Sequence, residues 1–275
     1  MAKRRPPAGR ATTLPPRTRP RSTLTEDAAP EEVRLNRFLA MAGVAARRKA
    51  DDLIAAGRVT VNGARTPPGG LMVRPGRDVV AVDGSEVRPA PAEHHYLAVN
   101  KPAGYLSAVS DRSRRPLVTS LLRGRPATER LHPVGRLDLD SRGLILLTDD
   151  GELSFRLQHP RHHVEKEYEA IIRGRPSAEA LEKLRQGVVL EEGRTAPAQV
   201  KVVGGGPDAG TSRVRIVIRQ GWKRQVRRSF LVVGHRVLDL RRVRIGPLRI
   251  GDLAEGAARE LTTAEVGALR REVGL

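Results

Sequence analysis

The segment of residues 134–151 holds the side chains whose types and spacing could carry out chemistry. Asp138 comes after Gly135-Arg-Leu, and Asp140 and Arg142 follow it, just before an apolar run typical of a buried strand. A carboxylate held beside a rigid strand is well placed to act as a nucleophile or to stabilise positive charge. By itself the tetrapeptide decides little, because an aspartate in this setting is also a common turn or capping residue.

Other candidate functional residues lie further along the chain. Tyr168 falls where apolar and polar residues alternate, so it is equally suited to packing in a half-buried strand. Arg227 begins a predicted helix, where its charge could simply be solvated. The histidines His159, His162 and His163 lack the cysteine or well-spaced third ligand of a zinc site, so we predict no metal.

The balance of charge indicates a polyanionic partner. The chain of 275 residues has 50 lysines and arginines against 31 acidic residues, a formal net charge of +19. A field of that sign concentrates polyanions, and nucleic acid is the commonest of these. A proteome that is basic throughout would give the same composition without such a partner, and this alternative stays open here.

Cysteines and membrane signals are both missing from the sequence. Without cysteine the chain cannot form disulfides, thiolate zinc sites or cysteine nucleophiles, which suits a reducing cytoplasm. No run approaches the ~18 apolar residues of a membrane span, and no apolar region follows the basic N-terminus as in a signal peptide. We therefore expect a cytoplasmic protein with no membrane partner, and we predict no protein partner.

The chain begins with a predicted disordered basic tail, residues 1–32. Its first 21 residues carry seven basic residues, five prolines and no acidic residue, and large apolar side chains are too few to build a core. Such a tail can add nonspecific affinity for phosphates, or it can be only a solubilising extension.

A small module is predicted at residues 33–92. Apolar side chains at i, i+3, i+4 and i+7 from Leu35 predict a first helix, and Gly43 suits the left-handed position that ends it. A second helix, residues 45–56, has three cations near its start, where the helix dipole disfavours positive charge unless an anion is bound. These cations are Arg47, Arg48 and Lys49. Two short strands, each ending in an Asx–Gly turn, follow.

A second domain is predicted at residues 93–275. Strands are predicted at residues 95–100, 144–147, 168–172, 214–218 and 237–245, and helices at residues 151–158, 178–186 and 226–233. Thr262 and Glu265 have the spacing of a capping box and predict the start of a last helix. Short strands joined through turn signals predict an α+β fold with a mixed, mainly antiparallel sheet.

Three stretches of the small module resemble the RNA-binding domain named after a primary-binding protein of the small ribosomal subunit, here called the S-four-like domain. They are Arg34-Leu-Asn-Arg-Phe-Leu-Ala, Gly43-Val-Ala-Ala-Arg-Arg and Ala56-Gly-Arg-Val-Thr-Val-Asn-Gly. The resemblance covers residues 33–92 and implies that the two helices and the next strand hold RNA backbone. The basic side chains it implies are Arg34, Arg37, Arg47, Arg48, Lys49 and Arg58.

A series of motifs over residues 95–265 resembles the bacterial pseudouridine synthases that modify small- and large-subunit ribosomal RNA. The motifs are Asn100-Lys-Pro-Ala-Gly, Gly135-Arg-Leu-Asp, Gly143-Leu-Ile-Leu-Leu-Thr-Asp-Asp-Gly, His159-Pro, Glu165-Lys-Glu-Tyr and Gln225-Val-Arg-Arg. They occur in the family's order, and the S-four-like domain is the family's usual N-terminal partner.

The resemblance implies a role for three residues. Asp138 becomes the catalytic aspartate, Tyr168 the active-site tyrosine and Arg227 the arginine that pairs with that aspartate. The reaction breaks the bond from ribose to the ring nitrogen, turns the uracil and rejoins it through carbon 5. It needs no redox change, so no cofactor is implied. An adjacent arginine favours the charged carboxylate, and a tyrosine can stack on a base pulled out of its helix.

Further RNA contacts are expected from basic side chains of the second domain, namely Lys101, Arg136, Lys223, Arg224 and Arg228. Arg136 could fill the space that a flipped base leaves, although a phosphate contact or a structural hydrogen bond fits it equally well. The chain departs from the family pattern at Gln220-Gly-Trp-Lys-Arg, where Trp222 could contact RNA or brace the loop.

The expected partner is ribosomal RNA or an assembling ribosomal subunit, and the overall resemblance favours large-subunit over small-subunit RNA. One rival hypothesis is a catalytically silent ribosome-assembly factor that keeps the fold. The presence of Asp138, Tyr168 and Arg227 together argues against it. A second rival is a nuclease or other RNA hydrolase, which the lack of a metal-ligand cluster in the sequence disfavours.

Overall fold

The computed structural model describes residues 32–45, 47–88, 94–122, 124 and 130–275. The chain divides into two compact units, Met1–Pro91 and Ala92–Leu275. The predicted disordered tail lies outside the described residues, apart from Glu32. In the ranges given, no helix is both long and apolar enough to cross a membrane.

The described part of the first unit, residues 32–45 and 47–88, contains two helices and six short strands. In chain order they are β1 (Val33–Arg34), α1 (Leu35–Met41), α2 (Arg47–Ala55), β2 (Val59–Val61), β3 (Ala64–Arg65), β4 (Met72–Val73), β5 (Val80–Val82) and β6 (Ser85–Val87). Strands β3, β2, β5 and β6 form an antiparallel sheet in that order, and β1 pairs with β4.

The helical periodicity of the first unit is confirmed. Leu35, Phe38 and Leu39 are buried on one face of α1, where they pack with the buried face of α2. The turn at Asn62–Gly63 has positive φ at both residues, 52° and 81°, as a tight hairpin between twisted strands requires. Local apolar spacing and turn chemistry therefore account for this unit.

The second unit contains the remaining strands and helices. In chain order they are β7 (Tyr96–Lys101), β8 (His132–Val134), β9 (Arg142–Thr148), α3 (Gly151–Gln158), β10 (Lys166–Arg173), α4 (Ala178–Gln186), β11 (Val189–Leu190), β12 (Gly193–Arg194), β13 (Gln199–Gly205), β14 (Thr211–Ile218), α5 (Gln225–Val232), β15 (Val237–Ile245), β16 (Leu248–Arg249), β17 (Ala258–Glu260) and α6 (Thr263–Glu272). The capping box predicted at the start of α6 is confirmed.

One large sheet organises this unit, with the strand order β13-β14-β10-β15-β9-β7-β17. Its pairings are antiparallel except for β9 with β15, which run parallel and are joined at only two register positions. The predicted α+β class with a mainly antiparallel sheet is therefore confirmed. That parallel junction joins the β13–β15 half of the sheet to the half that carries β7.

The two faces of the sheet bury separate cores because side chains alternate along a strand. In β9, Ile145 and Leu147 belong to the larger core, whereas Leu144 and Leu146 belong to the smaller core beneath α3 and α6. All four are fully buried, which explains why the strand reads as an unbroken apolar run.

Candidate active site

A cleft of about 360 Å³ opens on the larger-core face of the sheet. The loop that joins β8 to β9 forms one wall and the segment that leads into α5 forms another, while β10 and β15 contribute residues between them. The lining residues are Arg136, Leu137, Asp138, Ser141, Tyr168, Ile218, Gly221, Trp222, Lys223, Arg224, Gln225, Val226 and Leu240. Two of the three predicted catalytic residues, Asp138 and Tyr168, therefore share one cleft with three of the predicted RNA contacts, Arg136, Lys223 and Arg224.

The backbone of the Asp138 loop is held from outside the loop. The hydroxyl of Ser107 accepts from the backbone N–H of Leu137 at 3.0 Å and donates to its carbonyl at 3.1 Å. The N–H of Gly104 donates to the carbonyl of Leu139 at 2.8 Å. Both anchors belong to the chain that follows β7, so the Asn100-Lys-Pro-Ala-Gly motif and the residues just after it position the carboxylate.

Tyr168 reaches the cleft through the register of the sheet. One row of paired residues crosses four strands in the order Lys101, Gly143, Arg242 and Tyr168. Only 8% of the Tyr168 surface is exposed. The predicted alternating strand is thus confirmed, and it turns the ring towards the Asp138 loop.

The wall formed by residues 220–224 is a turn built around Gln225. The buried side chain of Gln225 accepts from the N–H of Trp222 at 3.1 Å and donates to the side-chain oxygen of Gln220 at 3.3 Å. Gln220 in turn accepts from the N–H of Ala196 at 2.8 Å. Arg224 ends the turn with φ of 52°, a left-handed conformation that is uncommon for a residue with a side chain.

The structure corrects the predicted partner of Arg227. Its guanidinium contacts Asp140, with Nε 3.5 Å from the carboxylate and Nη2 3.0 Å from the backbone carbonyl, and no contact with Asp138 within 4 Å is present. A further bond to the carbonyl of Val237, at 3.2 Å, holds the side chain against β15. Two backbone carbonyls therefore hold Arg227, and its charge lies beside Asp140 instead of the predicted partner Asp138.

Asp140 has a second and stronger partner in Arg224. Both guanidinium nitrogens of Arg224 donate to the two carboxylate oxygens, each at 2.9 Å. Burial opposes ionisation of Asp140, but the hydrogen bonds from Arg224 and the charges of Arg227 and Arg224 outweigh it, so the pKa of Asp140 lies below its ordinary value. The pKa of Arg224 is raised, first by its bonds to Asp140 and also by the negative charge of Asp138.

Lys101 was predicted to contact RNA, and the structure corrects this. Its side chain is 0% exposed, and its ammonium donates to the carbonyl of Pro102 at 2.8 Å. The side chain is the last of β7, on the face that buries Leu97 and Val99, so it cannot reach a surface phosphate. Burial lowers the pKa of Lys101 to about 8, although the charges of Asp140 and Asp138 act in the opposite direction.

The other basic residues of the second unit have different surroundings. Arg136 and Lys223 are exposed at the cleft. Arg228 lies outside the cleft lining and pairs with Glu192 at 2.7 Å. Trp222 is half-buried in the wall of the cleft.

In the first unit the predicted RNA contacts lie on α1, α2 and the strand ends. Arg34, Arg47, Arg48 and Lys49 are exposed, and Arg37 is half-buried. Arg58 forms a two-point ion pair with Asp83, with nitrogen–oxygen distances of 2.9 and 2.5 Å.

Two of the three histidines considered as metal ligands, His159 and His162, hydrogen-bond with Arg161. The Nε of Arg161 donates to His162 at 2.9 Å, and the N–H of Arg161 donates to His159 at 3.3 Å. Within the described ranges, no three His, Asp or Glu side chains are grouped as metal ligands would be.

Asp140, Ser107 and Gln225 shape this site, and sequence reasoning gave none of them a role. Asp140 and Gln225 stand inside motifs that were singled out, so their position was a signal. Ser107 had no signal, because its partner lies 30 residues away in the sequence.

Comparison with known proteins agrees with this geometry. Residues 95–231 match the family model described as RNA pseudouridylate synthase, and residues 33–79 match the S4 domain model. A Bacillus subtilis protein named ribosomal large subunit pseudouridine synthase B is 43% identical over 86% of this chain and 95% of its own length. A Yersinia pestis protein named ribosomal small subunit pseudouridine synthase A is 36% identical over 86% of this chain and 98% of its own. A solved structure titled as a pseudouridylate synthase, 30% identical, superposes with a TM-score of 0.62 over 86% of this chain and 99% of that one.

Proposed function

The chain belongs to the RNA pseudouridylate synthase family, and on that premise we propose that it isomerises a specific uridine of large-subunit ribosomal RNA, with Asp138 as the catalytic carboxylate. The observation that carries the catalytic assignment is the cleft that Asp138 lines together with Tyr168 and the basic side chains of Lys223 and Arg224. Its volume of about 360 Å³ falls within the range of ligand sites, roughly 300–1,000 Å³.

The cleft suits a uridine that has been turned out of its helix. Extruding a base costs a few kcal/mol, and the pocket must replace the lost stacking. The largely buried ring of Tyr168 and the apolar side chains of Ile218 and Leu240 line the cleft and offer a face for the uracil. Arg136 is exposed beside Asp138 and can occupy the gap left in the RNA stack.

The chemistry assigned to Asp138 is that of a fixed carboxylate at the reacting sugar. Its loop is anchored by Ser107 and Gly104, so the carboxylate need not be ordered at the moment of reaction. It can form a bond with the substrate or stabilise positive charge as the glycosidic bond breaks. The uracil then rejoins the ribose through carbon 5, and any bond to Asp138 breaks. The carbon-5 proton leaves, and the ring nitrogen released from the ribose takes up a proton, so the product is an isomer of the substrate. Tyr168 borders the same space, and Arg227 supports the loop through Asp140.

The proposal that the substrate is large-subunit RNA rests on the relatives. The Bacillus subtilis large-subunit enzyme is 43% identical to this chain, whereas the Yersinia pestis small-subunit enzyme is 36% identical. The S4 domain supplies a second RNA-binding unit, with Arg47, Arg48 and Lys49 exposed on α2. Ribosomal RNA, free or in an assembling subunit, is therefore the proposed partner.

The test compares the wild-type protein with Asp138→Asn on unmodified transcripts of each ribosomal RNA. Tritium release from carbon-5-labelled RNA measures turnover, and reverse-transcription stops after carbodiimide treatment locate the product. We expect a stop in the large-subunit transcript for the wild type and no release by Asp138→Asn, which still binds RNA. Asp239→Asn, an aspartate outside the cleft, is the control.

Each other outcome points to a different error. Release by Asp138→Asn would refute the catalytic role. A stop only in the small-subunit transcript would overturn the target and leave the reaction intact. RNA binding by the wild type without any product would favour the silent assembly factor.

A further inference from the structure

Two arginines with different predicted roles, Arg227 as the partner of Asp138 and Arg224 as an RNA contact, are both held by Asp140. Arg224 is bound at two points, at 2.9 Å each, and Arg227 approaches the same carboxylate at 3.5 Å. Asp140 is not among the residues that line the cleft, whereas its partner Arg224 is. We propose that Asp140 is a positioning residue for the isomerisation, which acts through Arg224 and clamps the wall of residues 220–224 across the cleft. This inference rests on the proposed function.

The clamp joins two parts of the chain that are distant in sequence, and it adds to the bond from Arg227 on α5 to the backbone carbonyl of Asp140. Asp140 lies in the loop before β9, and Arg224 lies 84 residues later at the start of α5. Arg224 has a left-handed backbone and makes no side-chain capping bond to its helix. The two-point bond to Asp140 therefore fixes the position of the Arg224 guanidinium, because a bidentate arginine–carboxylate pair fixes direction as well as distance.

Removal of the clamp would leave Arg224 free to choose another anion. Arg224 could then pair with Asp138, which lines the same cleft, or with an RNA phosphate. In either position its side chain would no longer hold the wall of residues 220–224 in place. Loss of Asp140 should therefore slow the reaction while leaving more positive charge available to RNA.

Slower turnover without weaker RNA binding distinguishes a positioning role of Asp140 from a purely structural role. For Asp140→Asn we expect turnover at saturating RNA to fall roughly tenfold or more, because small misplacements at a reacting centre are costly. RNA affinity should stay the same or tighten, with a salt dependence steeper by ~0.7–0.9 for each freed cation that finds a phosphate. A residue needed only for folding would weaken both turnover and affinity.

A double-mutant cycle with Arg224→Gln tests the partnership directly. Arg224→Gln removes the same ion pair by changing its other partner. It replaces Asp140→Asn in the test if that variant does not fold. We expect Asp140→Asn/Arg224→Gln to be no slower than the slower single variant, because partners in one interaction are not additive. Asp239→Asn is the matched control, because it breaks another two-point pair, with Arg142 on the opposite face of the sheet, at the same cost in charge.

Turnover is measured by tritium release at saturating RNA, affinity by filter binding at several salt concentrations, and folding by thermal melting. Wild-type turnover in Asp140→Asn, or losses that multiply in the double variant, would overturn the clamp. An inactive wild-type protein would instead defeat the proposed function. An active wild type with an equally active Asp140→Asn defeats only this inference.

Discussion

Gly143 lies at the one parallel junction of the sheet, and its replacement by alanine should be severe. Its φ is +105°, and a Cβ there would lie 2.2 Å from the carbonyl oxygen and 2.7 Å from the nitrogen of Arg242. Both of those atoms are backbone, so no side chain can turn aside to make room. The strands β9 and β15 would have to separate at one of only two register positions that join them.

The cost can be estimated from two contributions. A side chain in this backbone conformation costs about 1–2 kcal/mol. Separation of the strands also removes the hydrogen bond from buried Arg242 to the carbonyl of Leu144, 2.8 Å long, together with a ladder bond. Such bonds contribute about 0.5–3 kcal/mol each, with the charged donor at the upper end. We therefore expect Gly143→Ala to lose about 3–5 kcal/mol of unfolding free energy.

Gly193→Ala separates these two contributions. Gly193 has φ of +126°, and an added Cβ would meet no atom within 4 Å, so it suffers the backbone strain alone. We expect a loss of about 1–2 kcal/mol there. Urea unfolding followed by circular dichroism measures both variants, and turnover should fall with Gly143→Ala because the junction joins the strand after Asp138 to the strands that carry Tyr168. A Gly143→Ala protein within 1 kcal/mol of Gly193→Ala would refute the steric argument.

Two further predictions concern buried and exposed charge. Lys101 has a pKa of about 8 in the folded protein against 10.5 as its ordinary value. The unfolded chain therefore binds more protons between these values, and stability should rise with pH across that window, by about 3 kcal/mol at most. The urea midpoint of Lys101→Met should lack this rise with pH, whereas that of the exposed control Lys183→Met should keep it. Parallel curves for the wild type and Lys101→Met would contradict the lowered pKa of Lys101. The triple variant Arg47→Gln/Arg48→Gln/Lys49→Gln should lower the slope of log affinity against log salt by about 2 to 3. Lys183→Gln/Arg185→Gln on α4 should leave that slope unchanged, and an unchanged slope in the triple variant would remove α2 from the RNA contact.

Local sequence was sufficient for most of the elements. The predicted helices at residues 151–158 and 178–186 and the strand at residues 237–245 have these bounds in the structure. Asp150 and Ser177 cap the two helices by accepting backbone N–H groups of the first turn. Such signals lie within a few residues of the element they begin, so they can be read without the fold.

The motifs contain two residues that line one cleft, yet the pairing of the charged side chains depended on the fold. Asp138 and Tyr168 share the cleft as predicted, but Arg227 contacts Asp140, and Lys101 is buried where an RNA contact was expected. Neither outcome is encoded in spacing along the chain. The fold decides that Arg227 reaches Asp140 and not Asp138. It also decides that the side chain of Lys101 lies on a buried face of β7.

What the sequence determined by itself was the set of elements, the basic character and the motifs that identify the family. What only the tertiary structure decided was which charges meet across long separations. Arg224 and Asp140 are 84 residues apart, and the bond from Arg242 to Leu144 spans 98 residues. The Arg242 bond depends on the register of β9 against β15 and on the absence of a Cβ at Gly143. Register depends on how all strands pack at once, whereas periodicity and capping depend only on near neighbours.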